Sequence, residues 1–198
     1  MPGDMEELTE LNSARDKAFQ KIGRNVVAFQ KMEAMLKFLI ANHKIEGLPE
    51  QLLEIHKKNV NEVDRQTLGS LVDKLFRAVV ADDSSTQTDP DRPDGAWSVS
   101  FSVDFGADGR SDSKEALGLI VKERNALIHQ MMAKFDPKSL ESCHSLISTL
   151  DAQRDKIKPH YESLRSMVNA VLDGRKELLE IIESEEFPRA IEEVTSDA

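Results

Sequence analysis

The sequence predicts an all-α protein, a four- to five-helix up-down bundle with a small β-strand or hairpin insertion near 97–105. Two observations predict it. Through most of the chain, apolar residues recur at steps of three, four and seven, the spacing that lines one face of a helix. Residues 97–105 depart from it: Trp97, Val99, Phe101, Val103 and Phe105 alternate with Ser98, Ser100, Ser102 and Asp104. That period of two belongs to a strand with one covered face. Composition agrees, because 39% hydrophobic and 31% charged residues is the balance of long helices with solvated outer faces.

The elements follow in order. From about Glu6 to Ile40, the residues Phe19, Ile22, Val26, Phe29, Leu36 and Ile40 fall on one helical face. Gly47 and Pro49 end that helix, and Pro49 opens the first turn of a short segment carrying Leu52, Leu53 and Ile55. Thr67 is the N-cap of a compact amphipathic helix. An exposed loop of about 82–96, polar and holding Pro90 and Pro93, comes next. The 97–105 strand has no evident partner. It is read as covering a helix face or pairing with neighbouring loop, in preference to pairing with a second subunit. Asp112 or Ser113 caps a helix to about Lys134, and Asp136-Pro137 stops it and starts the next. Leu140, Cys143, Leu146, Ile147 and Leu150 make one apolar face, continued by Ile157, Tyr161, Leu164, Val168, Val171 and Leu172. Pro159 is expected to kink or interrupt that element. Residues 1–198 read as a single helical domain that ends in an acidic tail of about 184–198.

Bulk properties narrow the function. A net charge of −10 argues against generic affinity for nucleic acid or anionic membrane, although a local basic groove stays open. Aromatic residues, at 5%, advertise no base-stacking platform. The single cysteine, Cys143, allows neither an internal disulfide nor a thiolate cluster, and a reducing cytoplasmic setting follows. The start, MPGDMEELTE, lacks an apolar signal core. No run approaches ~18 apolar residues, so no membrane span is expected. The five histidines, His43, His56, His129, His144 and His160, show no ligand spacing with nearby Asp or Cys. No metal and no cofactor is therefore expected.

Two charges fall where charges are costly. On a wheel at ~100° per residue, Arg124 lies within the stripe of Leu117, Ile120, Val121, Leu127, Ile128, Met131 and Phe135. Asn125 lies at its edge, and His129 is one turn beyond on the same flank. A guanidinium keeps its proton, so in an apolar stripe it must be paired or line a wet cavity. Glu33 falls within the first helix's stripe, and a Glu33–Arg124 ion pair between the two helices is expected. Read structurally, that pair fixes register and His129 is satisfied by a carbonyl. Lys21, Arg24 and Lys31 share one broad side of the first helix, and Lys122 flanks the motif. They form either a phosphate-binding path or a solvated surface.

The string KERNALIH, residues 122–129, resembles the signature of the HEPN superfamily: Arg, a polar residue, a short spacer and His on one helix. Glu33 resembles the first-helix acidic position that holds the motif arginine in many of these domains. The strand near Trp97 and the acidic C-terminal stretch match no family hallmark. The resemblance implies a homodimer whose motif helices meet, and a metal-independent endoribonuclease acting as a toxin or defence effector, with room for a cognate inhibitor protein. In that reading Arg124, Asn125 and His129 act on RNA and Glu33 supports them, with Lys21, Arg24, Lys31 and Lys122 binding substrate. The chemistry suits the residue types, since an imidazole titrates near ~6.5 and a guanidinium offers a planar fork of donors to phosphate. The alternatives are a non-catalytic HEPN-like module that binds RNA, a nucleotide or a protein, and a purely structural bundle.

Overall fold

The computed structural model describes residues 2–78, 95–103 and 106–184. The expected acidic tail therefore lies almost wholly outside the described residues, as do most of the expected 82–96 loop and the 104–105 end of the strand. Two long helices form the frame, α1 (Pro2–Asn42) and α6 (Leu140–Ile182). Their buried residues explain why they pair. In α1 these are Ala14, Ala18, Ile22, Asn25, Phe29, Met32, Leu36 and Leu39. In α6 they are Cys143, Leu146, Leu150, Gln153, Ile157, Leu164 and Val171. Both sets advance by alternating threes and fours or by sevens, the seam of side-by-side helices. Lys21 meets Asp151, Asn25 meets Leu150 and Gln153, and Asn42 meets Arg175. Partners advance together along both chains, so α1 and α6 run in the same direction. The rest of the chain makes the return crossing.

That crossing begins with β1 (Lys44–Gly47) and a 3₁₀ turn at Pro49–Gln51. It continues through α2 (Leu52–Asp64) and α3 (Leu68–Ala78). Gly47 adopts φ 156°, and a Cβ there would lie 2.6 Å from Ile55 Cδ1. Thr67 caps α3 as expected, with Oγ1 accepting from Ser70 N at 3.4 Å. The α3 helix buries Leu68, Leu71, Val72, Leu75 and Phe76.

The strand with no evident partner has one. β2 (Trp97–Ser100) pairs antiparallel with β1, with Ile45 opposite Val99 and Gly47 opposite Trp97. Phe101 N donates to His43 O at 2.7 Å and extends the pairing. A four-residue KIEG strand carries too short an alternation to be visible in sequence. The alternation itself is real: Trp97, Val99 and Phe101 are half-buried, while Ser98, Ser100 and Ser102 are exposed. Phe101 and Val103 pack on the core, and Phe101 lies over Gly174 of α6, where a Cβ would come within 3.2 Å of its ring.

The motif helix α4 (Gly106–Ala126) starts before the expected cap at Asp112 or Ser113. It passes into a π-helical turn, Leu127–Met131, and a last short α5 (Met132–Lys134). Asp136 does not cap α6. Its Oδ1 accepts from Lys138 N at 2.9 Å within the connecting turn. Ser139 takes the cap, accepting from Ser142 N at 3.2 Å. Pro159 does not interrupt α6, which is helical through all 43 residues.

Candidate functional site

The structure rotates the motif helix away from its expected orientation. The line of α4 that is buried runs Leu117, Ile120, Glu123, Leu127, so the buried charge is Glu123 and not Arg124. Arg124 is half-buried beside it, and Asn125 and His129 are exposed. The reason is that α4 packs on two surfaces at once. Val121 faces α3 near Gly69, while Glu123 faces α6. A helical wheel averages those two directions into one and points between them.

Glu123 is accommodated because α6 supplies donors. Gln153 Nε2 donates to Glu123 O at 2.8 Å and to its carboxylate at 3.1 Å, and Lys156 Nζ donates to the other carboxylate oxygen at 3.1 Å. Gln153 Oε1 in turn accepts from Asn25 Nδ2 at 3.1 Å, which also donates to Leu150 O at 2.9 Å. Arg24 Nε donates to Asn25 Oδ1 at 3.2 Å. A directed chain of hydrogen bonds therefore runs from the Arg24 guanidinium through two buried amides to the Glu123 carboxylate. Each bond polarises the next in the same sense. It joins α1, α6 and α4.

The expected Glu33–Arg124 bridge does not form. Glu33 accepts from Lys37 at 3.1 Å, one turn along α1. Lys37 also donates to Asp64 O at 2.8 Å, a carbonyl at the end of α2 where a cation is favourable. Glu33 thus positions a helix-terminus lysine. Arg124 Nη1 donates to Asn125 Oδ1 at 3.1 Å. Among the described residues no carboxylate pairs with it.

The remaining sequence candidates separate into two places. Lys122 is exposed on α4 near the motif. Lys21 and Arg24 both bind Asp151 of α6. The Lys21 ammonium first, and then the Arg24 guanidinium, hold the Asp151 carboxyl below its ordinary value. Lys31 is exposed and lines, with Arg24, a groove between α1 and α6 that also takes in Arg154 and Lys158. Sequence reasoning missed Asn25, Gln153 and Glu123. Asn25 and Gln153 carried a signal, since each stands inside its helix's apolar stripe, between Ile22 and Phe29 and between Leu150 and Ile157. Arg154 and Lys158 carried none, because exposed cations are ordinary on a helix surface.

Among the described residues, no three His, Cys, Asp or Glu side chains cluster as metal ligands, and no helix is long and apolar enough to cross a membrane. Comparison of the chain with protein-family models, curated proteins and solved structures gives no match.

Proposed function

We propose that the chain is a metal-independent endoribonuclease of the HEPN type, working as a homodimer with Arg124, Asn125 and His129 at its catalytic cleft. One observation carries the reading. An exposed imidazole stands in a π-helical turn, four residues beyond an exposed amide that holds a guanidinium with no carboxylate partner among the described residues. Single π turns inside α-helices gather at functional sites, because the extra residue displaces side chains that a regular helix would align. Met132, 45% exposed and one turn past His129, offers apolar surface next to the motif for a second copy.

In this reading His129 takes the proton of an RNA 2′-hydroxyl. The 2′-oxygen attacks the adjacent phosphorus and the bond from phosphorus to the 5′-oxygen breaks. The leaving oxygen takes a proton from the imidazolium of the second copy. The products are a 2′,3′-cyclic phosphate and a 5′-hydroxyl end. Arg124 donates to the phosphate oxygens where charge accumulates, and Asn125 orients the guanidinium. A cytoplasmic setting and a role as toxin or defence effector, restrained by a cognate inhibitor, belong to the same reading; the single free Cys143 supports the setting.

The test is incubation of labelled RNA in EDTA with wild type, His129→Ala and Arg124→Ala. His129 is exposed and Arg124 is half-buried with a hydrogen bond to Asn125, so a thermal melt of each variant accompanies the assay. Cleavage is expected from wild type and a loss of about 100-fold or more in each variant. Intact RNA with wild type, or equal cleavage by His129→Ala, would overturn the proposal. The basic groove between α1 and α6 favours a second reading, a binding module that holds nucleotides without cutting them.

A further inference from the structure

The α1–α6 groove has a volume of about 530 Å³, within the ~300–1,000 Å³ range of small-molecule sites. Its charged lining is Arg24, Lys31, Arg154 and Lys158. Among the described residues no carboxylate lines it, in a chain whose net charge is −10. Between the cations lie the apolar surfaces of Val27, Ala28 and the Tyr161 ring and the polar side chain of Gln20, over a floor of buried Asn25 and Ile157. Gly23 leaves the space above its own Cα open, with nothing within 4 Å of where a Cβ would sit. Val27, on the same side of α1, stays 46% exposed.

Cations alone would serve a solvated surface. Apolar side chains alone would be a patch awaiting another protein. The combination asks for a ligand with both parts: an anion that reaches the guanidinium and ammonium groups, and a flat apolar body that covers Val27 and Ala28 beside Tyr161. Two of the cations are only partly committed. Lys158 pairs with Glu162 at 3.9 Å with both side chains largely exposed, a weak and solvated contact. Arg24 shares Asp151 with Lys21, so two positive charges face one negative. Lys31 and Arg154 are exposed, and among the described residues neither has an ion-pair partner.

We infer that this groove binds a phosphate-bearing anion with a ring-sized apolar body, of the size of a mononucleotide, free or within a strand. Phosphate is favoured over a single carboxylate because several cations converge, and guanidinium forks match phosphate oxygens. The groove is a different place from the motif flank of α4, and the inference concerns binding alone. It is joined to the motif by one route. Asn25, in the groove wall, reaches Glu123 through Gln153, and Glu123 immediately precedes Arg124.

The experiment is calorimetric titration of the full chain with AMP, adenosine, pyrophosphate and an oligoadenylate at low salt. AMP is expected to bind more tightly than either adenosine or pyrophosphate, because each of these lacks one of the two required parts. Comparable binding of oligoadenylate would assign the ligand to a strand, and its weaker binding to a free nucleotide. Lys31→Glu/Arg154→Glu is expected to weaken AMP by at least about tenfold and to flatten the salt dependence. Gly23→Leu fills the open space on α1 while raising helix propensity, and is expected to block AMP in a protein that melts no lower than wild type. His129→Ala is expected to bind AMP normally, which separates this site from the cleavage reading. No AMP binding at millimolar concentration, or AMP binding no tighter than pyrophosphate, would overturn the inference. Unchanged binding in both groove variants would overturn it as well.

Discussion

At the scale of single residues, three of the four buried polar or charged residues among those described, Asn25, Gln153 and Glu123, form one connected chain whose middle link is Gln153. Replacing Gln153 with Ala removes one acceptor from the Asn25 amide and a donor from both the backbone carbonyl and the buried carboxylate of Glu123. Leaving such groups unpaired costs about 1–3 kcal/mol each. Gln153→Ala is therefore expected to lose about 3 kcal/mol in urea unfolding; a loss under ~0.5 kcal/mol would show that the network carries no stability. Glu123→Gln, which keeps one acceptor oxygen for Gln153 and gives up only the bond to the largely exposed Lys156 ammonium, is expected to cost less. Asp151 supplies a pH signature. Its folded pKa lies below the ordinary 3.8, through Lys21 and then Arg24. The ion pairs thus stabilise the fold fully above that ordinary value, and the contribution is lost as pH falls through the lower folded one. Asp151→Asn is expected to be less stable at neutral pH and to show a flatter decline in acid, measured by thermal melts across the acid range. A parallel decline in both proteins would contradict this. The sequence held half of this picture. It showed that charge had entered the stripe of the motif helix, but it selected Arg124 over its neighbour Glu123. Periodicity ranks positions about one axis, and a helix packed on two neighbours has two.

At the scale of elements, glycine positions make separate predictions. Gly47 joins β1 to the turn before α2 with a backbone that L side chains rarely adopt, and Ile55 stands where its Cβ would be. Gly47→Ala is expected to destabilise by about 1–3 kcal/mol. Gly23, inside α1 with open space beside it, has the opposite sign: Gly23→Ala is expected to stabilise by about 1 kcal/mol. Chemical denaturation of the two variants checks both, and a shared sign would refute the backbone argument. Helices with strong signals were legible. Thr67 capped α3, and the α6 stripe from Leu140 to Val171 fell where its spacing put it, while Leu172 is exposed. Elements that depend on partners were not. β1 is four residues with no pattern of its own. Pro159 lies within a helix held by Ile157 and Leu164, both buried against α1, and that packing outweighs a local breaker.

At the scale of the whole molecule, one apolar core joins α1, α2, α3, α4 and α6, with the β1–β2 pair against its flank. All-α architecture with a small β insertion was readable because long amphipathic helices state their buried faces openly. The parallel pairing of α1 with α6 was not, because direction comes from the crossing segment and not from either stripe. The same limit applies to the candidate site. KERNALIH announced three residues on one helix flank, but the groove cations Arg154 and Lys158 lie over 120 residues from Arg24 in sequence, and only the fold brings them together. The proposed dimer belongs to this scale too. Light scattering at micromolar concentration is expected to give twice the 22.2 kDa chain mass, and a monomer would remove the composite cleft.

In the proposed reaction Arg124 and His129 cut RNA through its own 2′-hydroxyl. Analysis of the ends left on a labelled oligoribonucleotide, in EDTA and beside an identical 2′-deoxy strand, tests it most directly. Cyclic phosphate and 5′-hydroxyl ends on the ribo strand, with the deoxy strand intact, are the predicted result. Cleavage of both strands, 5′-phosphate ends, or no cleavage at all would contradict it.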